Sequence, residues 1–270
     1  MSSVQSLWVY PCKSASAVKM QTAVAEESGF QGDRNLMLVD SKGKFVSQRS
    51  KPRLGLLSLT TQGTQVHLAF EGSAWNFPLP SEKDTREVRV WSDNFLADDL
   101  GDDVAHCLSK IFDDELRLVS FGEESERLVS KKYSDRDVSV SFADGFPYLI
   151  TSQASLDDLN QRLKAKGEAE IPMGRFRPNI VVDGFEAYQE DRIERIQIGE
   201  AIFRLSKPCT RCTITTVSEE TQKFSKEPLK TLMEYRFNDE VKGACFGQNA
   251  YLESGHDYKI QVGETVTILS

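Results

Sequence analysis

The sequence predicts an α+β fold, predominantly β, in two domains. Three observations carry this reading. Short runs rich in β-branched and aromatic residues recur along most of the 270 residues, helical periodicity is confined to a few short stretches, and the polar, charge-dense segment from Gly122 to Arg136 has the composition of a linker. The domains are placed at 1–125 and 126–270.

Taken in order, Val4 to Tyr10 is rich in strand formers and stops at Pro11, Val18 to Val24 alternates, and Leu36 to Val39 is continuously apolar. Asp40-Ser41-Lys42-Gly43-Lys44 reads as a turn. Gln65 to Phe70 alternates through Val66, Leu68 and Phe70, and Val88 to Trp91 is a further strand. Gly101-Asp102-Asp103 then precedes Val104, Cys107, Leu108 and Phe112 at helical spacing, with acids in the first turn. In the second half Ser155 is expected to cap a helix with Leu156, Leu159 and Leu163 on one face and Gly167 closing it. Strands are expected at Asn179–Val182, Ile193–Ile198, Ala201–Leu205 and Thr213–Val217. Pro228 opens a helix that buries Leu229, Leu232 and Met233. Tyr258 to Val262 and Val266 to Ile268 read as a closing hairpin around Gly263-Glu264.

Composition excludes several classes of function. At 39% apolar and 27% charged the chain is ordinary globular protein, and no run approaches the roughly 20 apolar residues of a membrane helix. No signal peptide is recognisable, so a cytoplasmic protein without membrane association is expected. A net charge of -8 argues against binding nucleic acid, which needs a basic surface. Asp98, Asp99, Asp102, Asp103, Asp113, Asp114, Glu115, Glu123, Glu124 and Glu126 concentrate acid in mid-chain and read as a solvated face, with a docking surface for a basic partner as the alternative. Cys12, Cys107, Cys209, Cys212 and Cys245 are an odd, scattered set, which suits free thiols in a reducing compartment. His67, His106 and His256 fall in no metal-binding pattern.

The chemistry centres on Lys207-Pro208-Cys209-Thr210-Arg211-Cys212-Thr213. A thiolate beside a guanidinium ionises readily and is a soft metal ligand. Spacing alone leaves half a zinc site, a redox pair or two unrelated small residues open. Zinc lacks a second ligand pair, and a thioredoxin-like motif should open a helix after a strand, whereas a strand-like run follows here.

Tyr10-Pro11-Cys12-Lys13-Ser14, Gly32-Asp33-Arg34, Gln48-Arg49 with Pro52-Arg53-Leu54, Phe176-Arg177-Pro178-Asn179, Cys209-Thr210-Arg211-Cys212-Thr213 and Lys226-Glu227-Pro228-Leu229 occur in the order seen in MOSC-domain proteins. Over nearly its whole length the chain resembles the branch of the YcbX-like proteins and mitochondrial amidoxime reducing components. That resemblance implies a β-barrel-like MOSC domain behind a smaller N-terminal β domain, with a molybdenum cofactor between them. It implies Cys212 as the molybdenum ligand, Cys209 as structural, and Arg211 as a stabiliser of charge beside the metal. Lys13, Ser14 and Arg34 would hold the pterin phosphate from the N-terminal half, Arg177 and Asn179 would hold the cofactor from the C-terminal half, and Asp144 and Gly145 would contact the pterin. Phe146 departs from the smaller polar residue of some relatives, and Asn249 carries no assigned role. The implied activity is detoxifying two-electron reduction of small N-hydroxylated compounds: amidoximes, N-hydroxylated nucleobases and hydroxylamines. No plant-type iron–sulfur run is present, so electrons are expected from a separate reductase or a carrier of ferredoxin or flavodoxin type. The alternative is a cofactor carrier or sulfur relay without turnover, and a more distant one is a zinc-stabilised binding module.

Overall fold

The computed structural model describes residues 1–82 and 84–269. Its largest sheet runs Val266–Leu269, Arg195–Ile198, Ala201–Thr210, Gly243–Ser254, Tyr148–Ser152, Ile180–Asp183, Ser3–Val9, Val18–Met20, and Phe237–Asn238 adds to its fourth strand. Only the Tyr148–Ser152 and Ile180–Asp183 pair is parallel. The path is barrel-like without closing. An isolated bridge between Ser3 and Thr265 joins its last-but-one strand to the residue before its first, with no continuous ladder between them among the described residues. Leu7, Tyr148, Ile150, Ile180, Val182, Ile196, Phe203 and Leu252 fill the interior. Outside, the helices Gln153–Ala165 and Leu229–Tyr235 bury Leu156, Leu159, Leu163 and Leu232 against Val181 and Phe246.

The N-terminal region adds a sheet of Leu36–Asp40, Leu116–Ser120, Asp93–Asp99 and Thr85–Val90, and a three-stranded meander over residues 58–78. Leu36 and Leu38 pack on one side with the Asp102–Phe112 helix, while Met37 and Val39 pack on the other with Val88, Val119 and Phe142. A strand covered on both faces has no polar alternation, which is why 36–39 is continuously apolar.

The halves share strands. Ser3–Val9 pairs with Ile180–Asp183, and Lys259–Gln261 pairs with Thr22–Glu26. The expected closing hairpin is therefore not formed: Lys259–Gln261 and Val266–Leu269 turn to different sheets. Nor is Thr213–Val217 a strand. It is a single helical turn, Thr213–Thr216, in which the Thr215 hydroxyl donates to Cys212 O at 2.9 Å and the Thr216 hydroxyl to Thr213 O at 2.8 Å. Threonine hydroxyls that satisfy their own backbone compete with a sheet ladder.

Smaller corrections have equally local causes. The helix cap is Ser152, not Ser155: the Ser152 oxygen accepts from Ser155 N at 3.1 Å, while Ser155 Oγ lies buried against Glu190. Met233 is 46% exposed because Leu232 and Thr231 take the inner face. The segment 122–136 is irregular, yet Arg127 is buried there, donating to the carbonyls of Ser141 and Ala143 and pairing with Asp93 at 2.9 Å. Within the acidic run, Asp99 is buried rather than solvated and is held by Arg86 and Arg117.

Candidate functional site

One cleft between the shared strands collects every residue singled out above: Lys13, Ser14, Arg34, Asp144, Gly145, Arg177, Asn179, Arg211 and Cys212 all line it, together with Cys209, Phe146 and Asn249. The first strand ends at Val9, and the turn after it brings Lys13 and Ser14 to the wall. Ser14, Arg34 and Arg177 all hold left-handed backbone, with φ of 65°, 51° and 55°. This conformation is uncommon outside glycine and persists where the surroundings over-determine it.

Here the surroundings do so by interlocking. Arg34 pairs with buried Asp33, and donates to Asn179 Oδ1 at 3.0 Å and Arg177 O at 3.2 Å. Asp33 in turn accepts from Tyr10 N at 2.8 Å. Asn179 donates to Trp8 O and accepts from Leu149 N, which joins the first strand to the parallel pair. The Tyr10 ring lies between two guanidinium groups, 4.5 Å from that of Arg34 and 4.1 Å from that of Arg177. Burial opposes charge on Arg34, but Asp33 joined by Tyr10 and Asp144 overcomes it, and the guanidinium titrates above its ordinary value. Arg177 has no carboxylate of its own. Burial brings it down to about 10, Nη1 donates to Ala15 O at 2.8 Å, and Nη2 is buried with no partner among the described residues.

Lys13 is 6% exposed and donates to Phe142 O at 2.8 Å and to Asp144. Its burial lowers the ammonium pKa, partly offset by Asp144. The Asp144 carboxylate lies deep in the concavity, yet 64% of its side chain is accessible. Burial pushes this carboxyl up, Lys13 and a Trp91 Nε1–H donor at 3.2 Å push it down, and the net result is well below the usual carboxylate range. A Cβ added to Gly145 would meet nothing within 4 Å, so that backbone borders open cleft.

The opposite wall carries the thiols. Cys209 closes the Ala201–Thr210 strand and Cys212 precedes the Thr213–Thr216 turn. A strand thus precedes the pair and a helical turn follows, so the order that argued against a redox pair is not the one observed. Arg211 donates to Cys209 Sγ at 2.7 Å and to Phe176 O at 2.6 Å, and its Nε is buried without a partner among the described residues. Cys212 is exposed to the cleft, with Arg49 Nη1 at 3.9 Å from its sulfur. Arg49, quoted in the Gln48-Arg49 motif without a role, is the functional residue that sequence reasoning missed. Asp33, which fixes Arg34, is the second, and it sits beside its partner in Gly32-Asp33-Arg34.

Lys13, Arg34, Arg49, Arg177 and Arg211 thus face this cleft against Asp144 and the recessed Asp33, in a chain whose net charge is -8. Such a cation excess beside an open thiol suits a ligand that is anionic at one end and offers a soft-ligand site at the other. Among the described residues no cluster of three His, Cys, Asp or Glu side chains could hold a metal unaided. No helix among them is long and apolar enough to cross a membrane.

The MOSC N-terminal β-barrel domain family matches residues 1–115 and the MOSC domain family residues 137–267. The chain belongs to the MOSC-domain family and carries both of its domains. It is 32% identical to mitochondrial amidoxime-reducing component 1 of Mus musculus, the match covering 98% of this chain and 82% of that protein. Against the Homo sapiens protein of the same name identity is 33% with the same coverage, and against that of Danio rerio 35%, covering 87% and 75%.

Proposed function

We propose that the protein is a molybdenum-cofactor-dependent reductase of small N-hydroxylated compounds, drawing electrons from a separate protein. The observation that carries this is the meeting, in one cleft, of the exposed Cys212 thiol and a wall of cations with unpartnered N–H groups. The names of the relatives support the reaction class.

In this reading Cys212 holds molybdenum. Lys13, Ser14, Arg34, Arg177 and Asn179 hold the terminal phosphate of the pterin, and Asp144 and Gly145 border the pterin itself. When bound, the group supplies two-electron redox chemistry, which the chain's own side chains lack. The protein's part is to bind, orient and set charge. Arg49 and Arg211 place N–H donors beside the sulfurs of Cys212 and Cys209. Arg177, with no carboxylate partner among the described residues, gains an anionic partner when a phosphate arrives. The overall change is R–NHOH plus two electrons and two protons to R–NH2 plus water. Five unpaired cysteines suit a reducing compartment such as the cytoplasm, and we retain 1–125 and 126–270 as the domain division.

The test is protein made in cells competent for molybdopterin synthesis, assayed with a viologen reductant on benzamidoxime and 6-hydroxylaminopurine. Turnover that tracks molybdenum content supports the reading. Full molybdenum loading without turnover would overturn it in favour of a cofactor carrier, and stoichiometric zinc on Cys209 and Cys212 would favour a binding module.

A further inference from the structure

Next to the thiol cleft lies a second, wider groove of about 900 Å³ between the Asp40–Lys44 turn and the tip of the Thr85–Val90 and Asp93–Asp99 hairpin. Phe45 and Arg49 line both, so the two are continuous. We propose that this groove is the docking surface for a small acidic protein that carries one electron at a time, of the flavodoxin or ferredoxin type. The inference rests on the reductase reading and adds to it the place and charge of the donor.

Charge is the first argument. Lys44, Arg49, Lys51 and Arg89 line the groove against Asp40 and Asp114. Lys51 is matched by Asp114 at 2.8 Å. The Asp40 carboxylate is turned onto its own turn, Oδ1 accepting from the N–H groups of Lys42 and Lys44 at 3.0 and 2.9 Å. Lys44 and Arg89 are exposed, bridge to each other through their backbones, and have no ion pair among the described residues. A basic face on an acidic protein selects an acidic partner and repels a basic one. Neutral N-hydroxylated substrates have no use for these outer cations.

The second argument is Trp91. It is 49% exposed at the hairpin tip and holds a left-handed φ of 56°, a genuine outlier for so bulky a residue. The position is over-determined: the Arg49 guanidinium stacks on the ring at 4.4 Å, Phe45 packs on it edge-on at 5.2 Å, and its N–H reaches Asp144. An exposed tryptophan clamped by an arginine is the kind of anchor on which protein interfaces concentrate their binding energy. The same Arg49 ends 3.9 Å from Cys212 Sγ. A carrier seated on Trp91 is therefore separated from the thiol by little more than one side chain. Two such encounters deliver the two electrons that, with two protons, convert R–NHOH to R–NH2 and water.

The experiment uses holoenzyme and purified flavodoxin, with ferredoxin in parallel. Oxidised carrier is titrated to measure binding at low and high salt, and reduced carrier is then compared with a viologen as electron source. Lys44→Glu with Arg89→Glu reverses two exposed side chains outside the cleft. It should weaken carrier binding about tenfold or more at low salt, with less effect at high salt, and lower carrier-driven turnover while viologen-driven turnover is unchanged. Asp103→Lys with Glu124→Lys, on the acidic region, should leave binding intact. Binding unaffected by the first pair, weakened instead by the second, or absent for both carriers overturns the docking surface. Loss of viologen-driven turnover in the parent overturns the reductase reading, and the binding titration then still decides whether the groove takes an acidic protein.

Discussion

The cation wall and the thiol loop face each other across one cleft but are built in opposite ways. On the cation wall Arg34, Asp33, Tyr10 and Asn179 satisfy one another through buried contacts that tie the first strand to the second half of the chain. On the thiol loop Cys212 is exposed, with Arg49 Nη1 at 3.9 Å from its sulfur. A buried charge without a partner is expensive, so the Asp33–Arg34 pair must form as the protein folds, whereas Arg177, whose Nη2 is buried without a partner among the described residues, is left for an anion to complete. An exposed thiol carries no such requirement and is left for a ligand to complete. Substitutions on the first wall should therefore be felt as stability, and on the second as loading and turnover.

Asp33→Ala should produce the largest effect. It strands the Arg34 guanidinium in the interior and removes the acceptor for Tyr10 N–H, which should cost about 3–5 kcal/mol in urea unfolding. A loss below about 1 kcal/mol, the level of an exposed pair, would mean that the wall is not the structural frame described above. Cys212→Ser should be the converse: unfolding unchanged within about 0.5 kcal/mol, as for surface substitutions, with molybdenum content and turnover falling beyond the roughly 10–100-fold that loss of an outer-shell group costs a metal site. Cys209→Ala should retain metal, and molybdenum lost from that variant alone would transfer the ligand role to Cys209.

The same contrast explains what could be read from the sequence. Strands whose own residues carry the pattern, such as Leu36–Val39, and the helix closed by Gly167, are legible because their signals are local. Ser14, Arg34 and Arg177 are reachable through motifs, although nothing in their side chains announces a left-handed backbone, and none of the three is a glycine. What was not legible depends on distant partners. Lys259–Gln261 reads as half of a hairpin because a strand does not reveal that it will pair with Thr22–Glu26 instead of its neighbour. Thr213–Thr216 has strand propensity, but its hydroxyls bond their own backbone. Arg49 became significant only once folding placed Trp91 on one side of it and Cys212 on the other.

Thiol accessibility sharpens the comparison without changing any residue. Burial pushes the Cys12 thiol up to about 12 and the Cys245 thiol to about 11, so both stay protonated near neutrality. Iodoacetamide at neutral pH should modify Cys212 in the native protein and reach Cys12 and Cys245 only after unfolding, as read by peptide mass spectrometry. Early modification of Cys12 would show that the first wall opens locally.

The smallest effect belongs to Asp144, which stands between the two regimes: it is paired with buried Lys13, yet its own side chain is largely open to the cleft. Its carboxyl is held below the ordinary range: burial pushes it up, but Lys13, the Trp91 N–H and Arg49 together bring it down. A carboxylate with a depressed folded-state pKa stabilises the fold fully above its unfolded value of about 3.9 and loses that contribution as pH falls further toward the folded value. The urea midpoints of the parent and Asp144→Asn should therefore keep a constant separation from pH 7 to 5. They should draw together below about pH 4, where the unfolded chain begins to bind the proton that the folded carboxylate still excludes. Because solvent in the cleft screens an accessible pair, that separation should be no more than about 1 kcal/mol. A separation several times larger would place Asp144 with the buried wall. None at any pH would place it with the open loop, where a residue's role is read by its ligand and not by the fold.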